Sequence, residues 1–262
     1  MGLFEELSVN YLHTKKPEQK DFVSHMHDSY EIYYFLTGNG SFCVEGNVYP
    51  LSQGDLFITR AVEAHHLILH GDEPYTRITI HFRPGKDMDE DLKKYLLSMY
   101  NPRCIGVHNC FSTRQFYKAN WHTYIKELYK TDNMVKRQIY LLNILLELAD
   151  SFPKIVDDYI HYPKDNVLRI THYIDEHFME PISLEQICQK FFISQSQLNR
   201  NFKNNLGMTV KVYINRKRLF YANDLLKQGE SPIQIYTKCG FNDYNTFYKA
   251  YRKQFGHSPK QQ

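Results

Sequence analysis

The chain has little that would tie it to a membrane or to an oxidising compartment. No apolar run approaches the roughly 20 residues needed to span a bilayer. The first residues, Met1-Gly-Leu-Phe-Glu-Glu6, offer neither a basic n-region nor an apolar h-region. Five cysteines (Cys43, Cys104, Cys110, Cys188, Cys239) show no C-x-x-C and no paired spacing, so no disulfide framework is indicated. Cys188 and Cys239 fall at helical positions expected to be buried, where cysteine behaves as a small hydrophobe. A cytoplasmic, reduced protein is the expectation. A net excess of one charge is also lacking, the balance being only +3. It is unevenly divided, however: from Pro163 onward 15 Lys/Arg face 8 Asp/Glu, whereas the preceding residues carry 17 against 21. At 262 residues the chain is long enough for two domains, each with its own core.

The basic part contains one pattern twice. Ser183-Leu-Glu-Gln-Ile187 matches Ser231-Pro-Ile-Gln-Ile235 at an offset of 48, and Leu198, Arg200, Phe202 and Gly207 match Phe247, Lys249, Tyr251 and Gly256 at an offset of 49. Each copy reads as two helices joined by a turn, and the second has one extra turn residue. Ser183/Gln186, Ser194/Gln197 and Ser231/Gln234 each have capping-box spacing, Pro232 takes the tolerated first helical position, and Gly240 supplies the turn. Between the copies Thr209–Gln228 reads as one helix stopped by Gly229, with Val212, Leu219, Ala222, Leu225 and Leu226 as its apolar stripe and Arg216, Lys217 and Arg218 alongside. About 20 helical residues span about 30 Å, close to the roughly 34 Å of one DNA turn. Two reading helices held that far apart suit successive major grooves, and the basic balance suits phosphates.

These residues carry a resemblance. The second copy's I-x-x-x-C-G-F-x-D-x-x-x-F (Ile235 to Phe247), followed by Y-R-x-x-F-G-x-S-P (Tyr251 to Pro259), resembles the DNA-binding domain of the AraC family of bacterial transcription regulators. Tyr236 departs from the small residue usual there, so local repacking is expected. In a helix-turn-helix, residues near the start of the second helix reach base edges. Burying Leu198 and Phe202 turns Ser196, Asn199 and Arg200 outward, and burying Phe247 and Tyr251 does the same for Tyr244, Asn245, Thr246 and Lys249. The resemblance places base contacts at these positions. Arg200 suits guanine, Asn199 and Asn245 suit adenine, and Thr246 a thymine methyl; Lys203, Arg216 and Arg252 suit phosphates.

From Phe22 to Phe82 short apolar stretches are punctuated by turn signals at 38–40, 45–47, 52–55 and 70–72, the texture of an antiparallel barrel or sandwich. His25, His27 and Glu31 share strand parity, and His65 or His66 would complete three imidazoles and a carboxylate. The H-x-H-x-x-x-E spacing, then six residues to Gly38, is similar to the first motif of a cupin domain. Such a set suits a first-row metal. The second motif, Gly54-Asp55-Leu-Phe-Ile-Thr-Arg-Ala-Val-Glu-Ala-His65, departs from metal-binding cupins and looks like that of AraC-type regulators. The expectation is therefore a metal-free, cofactor-free ligand pocket at His25, His27, Glu31, Tyr33 and His65. The resemblance implies a sugar or related small polar effector.

Asp87–Tyr100 and Ser112–Asp150 are helical by pattern. Val135, Ile139, Leu142, Leu146 and Ala149 form a coiled-coil-like seam beside a second stripe of Leu141, Leu145 and Leu148, which predicts a homodimer contact. The expected architecture is α+β. A cupin-like antiparallel β-barrel with flanking helices (1–150) and a linker (151–166) precede an all-α domain of two helix-turn-helix units joined by a long helix (167–262). The expected function is that of a ligand-responsive, DNA-binding transcription regulator of carbohydrate or related metabolite genes, engaging RNA polymerase if it activates. The competing expectation is a metal-dependent cupin enzyme fused to a DNA-binding module.

Overall fold

In a computed structural model, residues 2–101, 103–157 and 166–260 are described. The chain divides into two units, Met1–Tyr162 and Pro163–Gln262. The first is built on two antiparallel sheets. One has the strand order β1-β7-β2-β5-β8, where β1 is Phe4–Thr14, β2 Tyr30–Thr37, β5 Leu56–Thr59, β7 Tyr75–Pro84 and β8 Cys110–Phe111. The other has the order β4-β3-β6, formed by β3 Gly40–Val44, β4 Asn47–Pro50 and β6 His65–Leu69.

Strand parity explains how the larger sheet serves two cores. Ile32 and Tyr34 of β2, Leu56 and Ile58 of β5, and Ile78, Ile80 and Phe82 of β7 are buried against helices. The alternate residues Tyr33, Phe35, Phe57 and Tyr75 meet Phe42, Val44 and Leu67 of the smaller sheet. The helices are α1 (Glu90–Leu96), α2 (Thr113–Phe116), α3 (Trp121–Lys130) and α4 (Met134–Asp157). Glu147 of α4 accepts from the Asn120 and Trp121 amides at 2.8 and 2.7 Å, so it caps α3 and fixes the two helices together.

Several boundaries differ from expectation. Strand β1 lies outside the predicted barrel; it is a mostly exposed edge strand, paired with β7 from Phe4 to Thr14, and carries no hydrophobic alternation strong enough to read. The helix expected over 87–100 is confined to Glu90–Leu96 by the Asp89 cap, and that over 112–150 is three helices. The linker expected from Ser151 begins later. Helix α4 runs on to Asp157 through Pro153, which forfeits one backbone bond close to the helix end, while Phe152 packs on the core. Residues 158–165, the rest of that expected linker, lie outside those described. The second stripe, Leu141, Leu145 and Leu148, is fully buried; in the seam itself Ala149 is buried, Leu142 and Leu146 pack partly on the same core, and Val135 and Ile139 are exposed.

The second unit contains α5 (Asn166–His177), α6 (Leu184–Phe191), α7 (Gln195–Leu206), α8 (Val210–Lys227), α9 (Pro232–Lys238) and α10 (Tyr244–Phe255). Of the three expected capping boxes, Ser183 and Gln186 make the full one, Ser194 caps α7 through the Gln197 amide without the reciprocal bond, and Ser231 makes no side-chain cap bond. Pro232 takes the first helical position, where no amide is needed, and the Gln234 amide, which a side-chain cap would have used, donates to the Ser231 carbonyl at 2.9 Å. Gly240 is required: a Cβ there would lie 2.8 Å from Arg218 Nε and 3.0 Å from the Met179 carbonyl oxygen, at a φ of +79°. Helix α8 is buried on more than one face. Tyr213, Ile214 and Phe220 join the expected stripe in the interior, whereas Val212 is exposed. Of its three consecutive cations, Lys217 is buried and donates to Asp175 at 2.7 Å, and Arg218 donates to the Phe178 and Glu180 carbonyls at 2.7 and 2.9 Å. Both are committed to holding the domain together.

Candidate nucleic-acid interface and effector cavity

On α7 the burial of Leu198, Phe202 and Leu206 leaves Ser196, Arg200 and Lys203 exposed and Asn199 half-buried. On α10 Phe247 and Tyr251 are buried and Asn245, Thr246, Lys249 and Arg252 are exposed. Three refinements appear. Tyr244 is half-buried, packed edge-on against Tyr236 with ring centres 5.9 Å apart, which is how the unusual Tyr236 is accommodated. The Thr246 hydroxyl bonds the Asp243 cap at 2.7 Å. Arg216 of α8 is half-buried, its Nη1 3.9 Å from Met208 Sδ. Of the two cysteines expected in the interior, Cys239 is buried and Cys188 is half-buried.

In the sheet unit, His25, His27, Glu31 and His65 come together, with one ligand atom of each within 4.8 Å of the others. They do so without the continuous strand that their parity suggested. Strand β2 starts only at Tyr30, and His25 reaches the cluster through a backbone bridge to His65. His65, not His66, is the member from β6. The Nδ1 atoms of His25, His27 and His65 lie 3.1, 3.0 and 2.8 Å from the carbonyls of Val23, Ser29 and Glu63. A carbonyl only accepts, so each Nδ1 carries hydrogen and each Nε2 is left for the cluster. His27 Nε2 is 2.7 Å from Glu31 Oε2, and His65 Nε2 is 3.1 Å from the same oxygen without hydrogen-bond alignment. Such an oxygen needs shared protons or a divalent ion beside it, and the donor set would suit either.

The electrostatics follow from burial and mutual charge. Burial favours the neutral acid of Glu31, yet the His65 charge and the His27 hydrogen bond outweigh it and hold the carboxyl well below its usual range. Burial opposes charge on His65, but Glu31 overcomes this and raises it. His25 is lowered to about 4, by burial first and by His65 second. Tyr33, fully buried, hydrogen-bonds Tyr75 and has its hydroxyl pushed well above the usual range by burial.

Beside the cluster is a cavity of about 140 Å³ lined by residues including His25, Tyr33, Phe42, His65, His66 and Arg77. Sequence reasoning missed Arg77 and also His81, whose ring centre is 4.7 Å from that of His27. Both lie on β7, where Thr76, Ile78, Ile80 and Phe82 alternate with Arg77, Thr79 and His81. By alternation alone the polar set reads as a solvent face. Here it is the interior face.

Two family models match the chain: an AraC-like ligand binding domain over residues 9–93 and a helix-turn-helix domain over residues 187–262. The HTH-type transcriptional activator RhaS of Shigella sonnei (strain Ss046) is 25% identical over 248 residues, covering 92% of this chain and 87% of that protein. RhaS of Escherichia coli (strain SE11) is 24% identical with the same coverage. The solved structure of ToxT from Vibrio cholerae aligns over 98% of this chain and 97% of its own at 15% identity, with a TM-score of 0.41, and adds nothing to the assignment. The matched models and relatives are those of regulators, not of an enzyme family. With the duplicated helical unit and the sheet domain each matched independently, the chain belongs to the AraC family as a DNA-binding transcription regulator with a ligand-binding domain.

Proposed function

We propose that the protein is a cytoplasmic, effector-responsive activator in which a small polar molecule bound in the sheet domain alters the affinity of the helix-turn-helix domain for an operator. The observation that carries this reading is the cavity beside His25, Tyr33 and His65: hydrogen-bonding side chains converge there with an aromatic wall, the usual make-up of a small-molecule site. His27 and Glu31, linked to each other, stand beside His65 in the cluster. The cluster works with protons and without a metal. A sugar or related metabolite is the class of effector we favour, with genes for its use as targets. Ser196, Asn199, Arg200, Tyr244, Asn245, Thr246 and Lys249 contact bases, and Lys203, Arg216 and Arg252 contact phosphates. Val135 and Ile139 on α4 form the centre of a homodimer contact, and the DNA-bound dimer engages RNA polymerase.

Coupling is by population shift. The effector favours one arrangement of the two domains and can bias it by no more than its difference in affinity for the two states. Operator titrations of the full chain, with and without an effector found by thermal-shift screening of metabolites, test this. A ligand that stabilises the wild type, fails to stabilise Glu31→Gln and changes operator affinity supports the reading. Binding that leaves operator affinity untouched refutes it.

A further inference from the structure

We infer that the effector carries a carboxylate and that Arg77 is the residue that recognises it. This rests on the effector-sensing reading of the cavity and narrows its chemical class.

Arg77 stands on β7, between Leu12 of β1 and Phe35 of β2, so its backbone is held in the middle of the larger sheet. Its half-buried side chain lines the cavity, with the guanidinium carbon 5.6 Å from the centre of the Tyr33 ring. Its Nε is buried and has no hydrogen-bond partner among the described residues. A guanidinium stays charged, and leaving one of its donors out of water without an acceptor is unfavourable.

The same domain shows what a purely structural arginine looks like. Arg103, fully buried, donates to both oxygens of Glu63 and to the carbonyls of Met99, Cys104 and Val107. Arg77 has no such set. The nearby buried carboxylate, Glu31, is engaged by His27 and faces His65. Asp21, at the cavity rim, is exposed and forms no ion pair with Arg77 among the described residues.

The rest of the cavity defines the remainder of the ligand. Phe22, Tyr33 and Phe42 offer an apolar wall, and His25, whose Nδ1 is engaged by the Val23 carbonyl, offers its Nε2 to a hydroxyl group. The volume of about 140 Å³ is close to the roughly 150 Å³ of a cavity that accepts one benzene ring. The ligand is thus a hydroxylated carboxylic acid about one ring in size. The planar Arg77 fork matches its carboxylate, which a neutral sugar cannot supply.

The test uses the full chain in thermal-shift and calorimetric titrations, with gluconate, glucuronate, galacturonate and acetate as probes. Glucose and galactose serve as neutral counterparts, and sodium chloride matches ionic strength. At least one hydroxylated acid should raise the melting temperature of the wild type above the chloride control, and the neutral sugars should not. Arg77→Gln should weaken that acid by at least about tenfold, Arg77→Lys by less, and ligand-free Arg77→Gln should melt at or above the wild type because an unpaired cation is gone. The inference is overturned by the absence of any acid-specific shift in the wild type, by an undiminished shift in Arg77→Gln, or by a ligand-free Arg77→Gln that melts well below the wild type. A neutral sugar that binds through Glu31 and not through Arg77 would also overturn it, yet leave the sensing reading standing. An acid that binds through Arg77 without changing operator affinity would do the reverse.

Discussion

Arg103 grips Glu63 with two parallel hydrogen bonds, Nη1 to Oε1 at 2.6 Å and Nη2 to Oε2 at 2.5 Å, in the interior of the sheet domain. The remaining capacity of that carboxylate is filled by the Arg60 and Gly106 amides, each at 2.9 Å, and by Asn109 Nδ2 at 3.3 Å. This joins the loop before β8 to the turn that leads into β6. Arg103→Ala would leave a buried carboxylate without its counter-ion and should cost about 3–5 kcal/mol, read by urea denaturation. Burial alone would raise Glu63, but Arg103 lowers it to about 2. A depressed acid contributes stability above its unfolded value of 4.5 and loses it as pH falls toward 2. Arg103→Ala should therefore flatten the acid limb of the stability curve between those limits.

A second pH effect has the opposite chemistry. His25 at about 4, with His66 and His81 also lowered chiefly by burial, bind protons less readily folded than unfolded. The unfolded chain therefore takes up more protons as pH falls below 6.5, and stability declines toward pH 4. His65, raised by Glu31, acts against this, its contribution being present below 6.5 and lost as pH rises through its folded value. Melting temperatures of wild type and His25→Asn across this range should diverge as pH drops, with the variant less sensitive. Parallel curves would mean that His25 binds protons equally well folded and unfolded.

On DNA, Arg200→Ala should lose about 1–3 kcal/mol on the operator and relax discrimination at one base pair. Lys203→Ala should weaken operator and random DNA alike and reduce the salt slope by about one. Anisotropy titrations on the promoter region adjoining the gene distinguish the two. Equal losses on both DNAs for Arg200→Ala would remove it from base reading.

For assembly, Val135 and Ile139 are 67% and 50% exposed, so charges there need not disturb the monomer. Val135→Glu combined with Ile139→Glu should give a folded monomer in sedimentation with a melting temperature near that of the wild-type subunit. Leu142→Glu and Leu146→Glu should destabilise the domain itself, because both side chains pack partly on its core and a carboxylate there has no partner. A double variant that sediments like the wild type would place any dimer contact elsewhere.

For the histidine cluster, Glu31→Gln should abolish the effector response of the full chain while leaving its effector-free operator affinity unchanged. Elemental analysis of untagged protein should find no stoichiometric iron, manganese, nickel or zinc. A full equivalent that disappears in His27→Ala would make His25, His27, Glu31 and His65 a coordination site.

Much of the helical unit was legible because its information is local. Ser183, Ser194 and Thr209 act within a few residues of themselves, and the apolar spacing of Leu198/Phe202 and Phe247/Tyr251 fixes which faces turn inward. Even there, the fates of Lys217 and Arg218 depended on acceptors about 40 residues away, at Asp175, Phe178 and Glu180. The two cations read like Arg216 in sequence and serve a different end.

The sheet domain divides differently. Its turns and the H-x-H-x-x-x-E spacing marked where chemistry would be, and His25, His27, Glu31 and His65 do meet. The sequence by itself determined the duplicated helical unit, the two-part charge division and the places of His25, His27 and Glu31 in this cluster, because each is written in short-range spacing or composition; that His65 and not His66 joins them was decided by the pairing of His25 with His65. Only the tertiary structure decided that β1 closes the edge of the larger sheet, that Glu63 belongs to Arg103, and that the polar side of β7 faces a cavity. Pattern reads alternation but not which side is enclosed, and enclosure arises only when a second sheet, distant in sequence, covers one face.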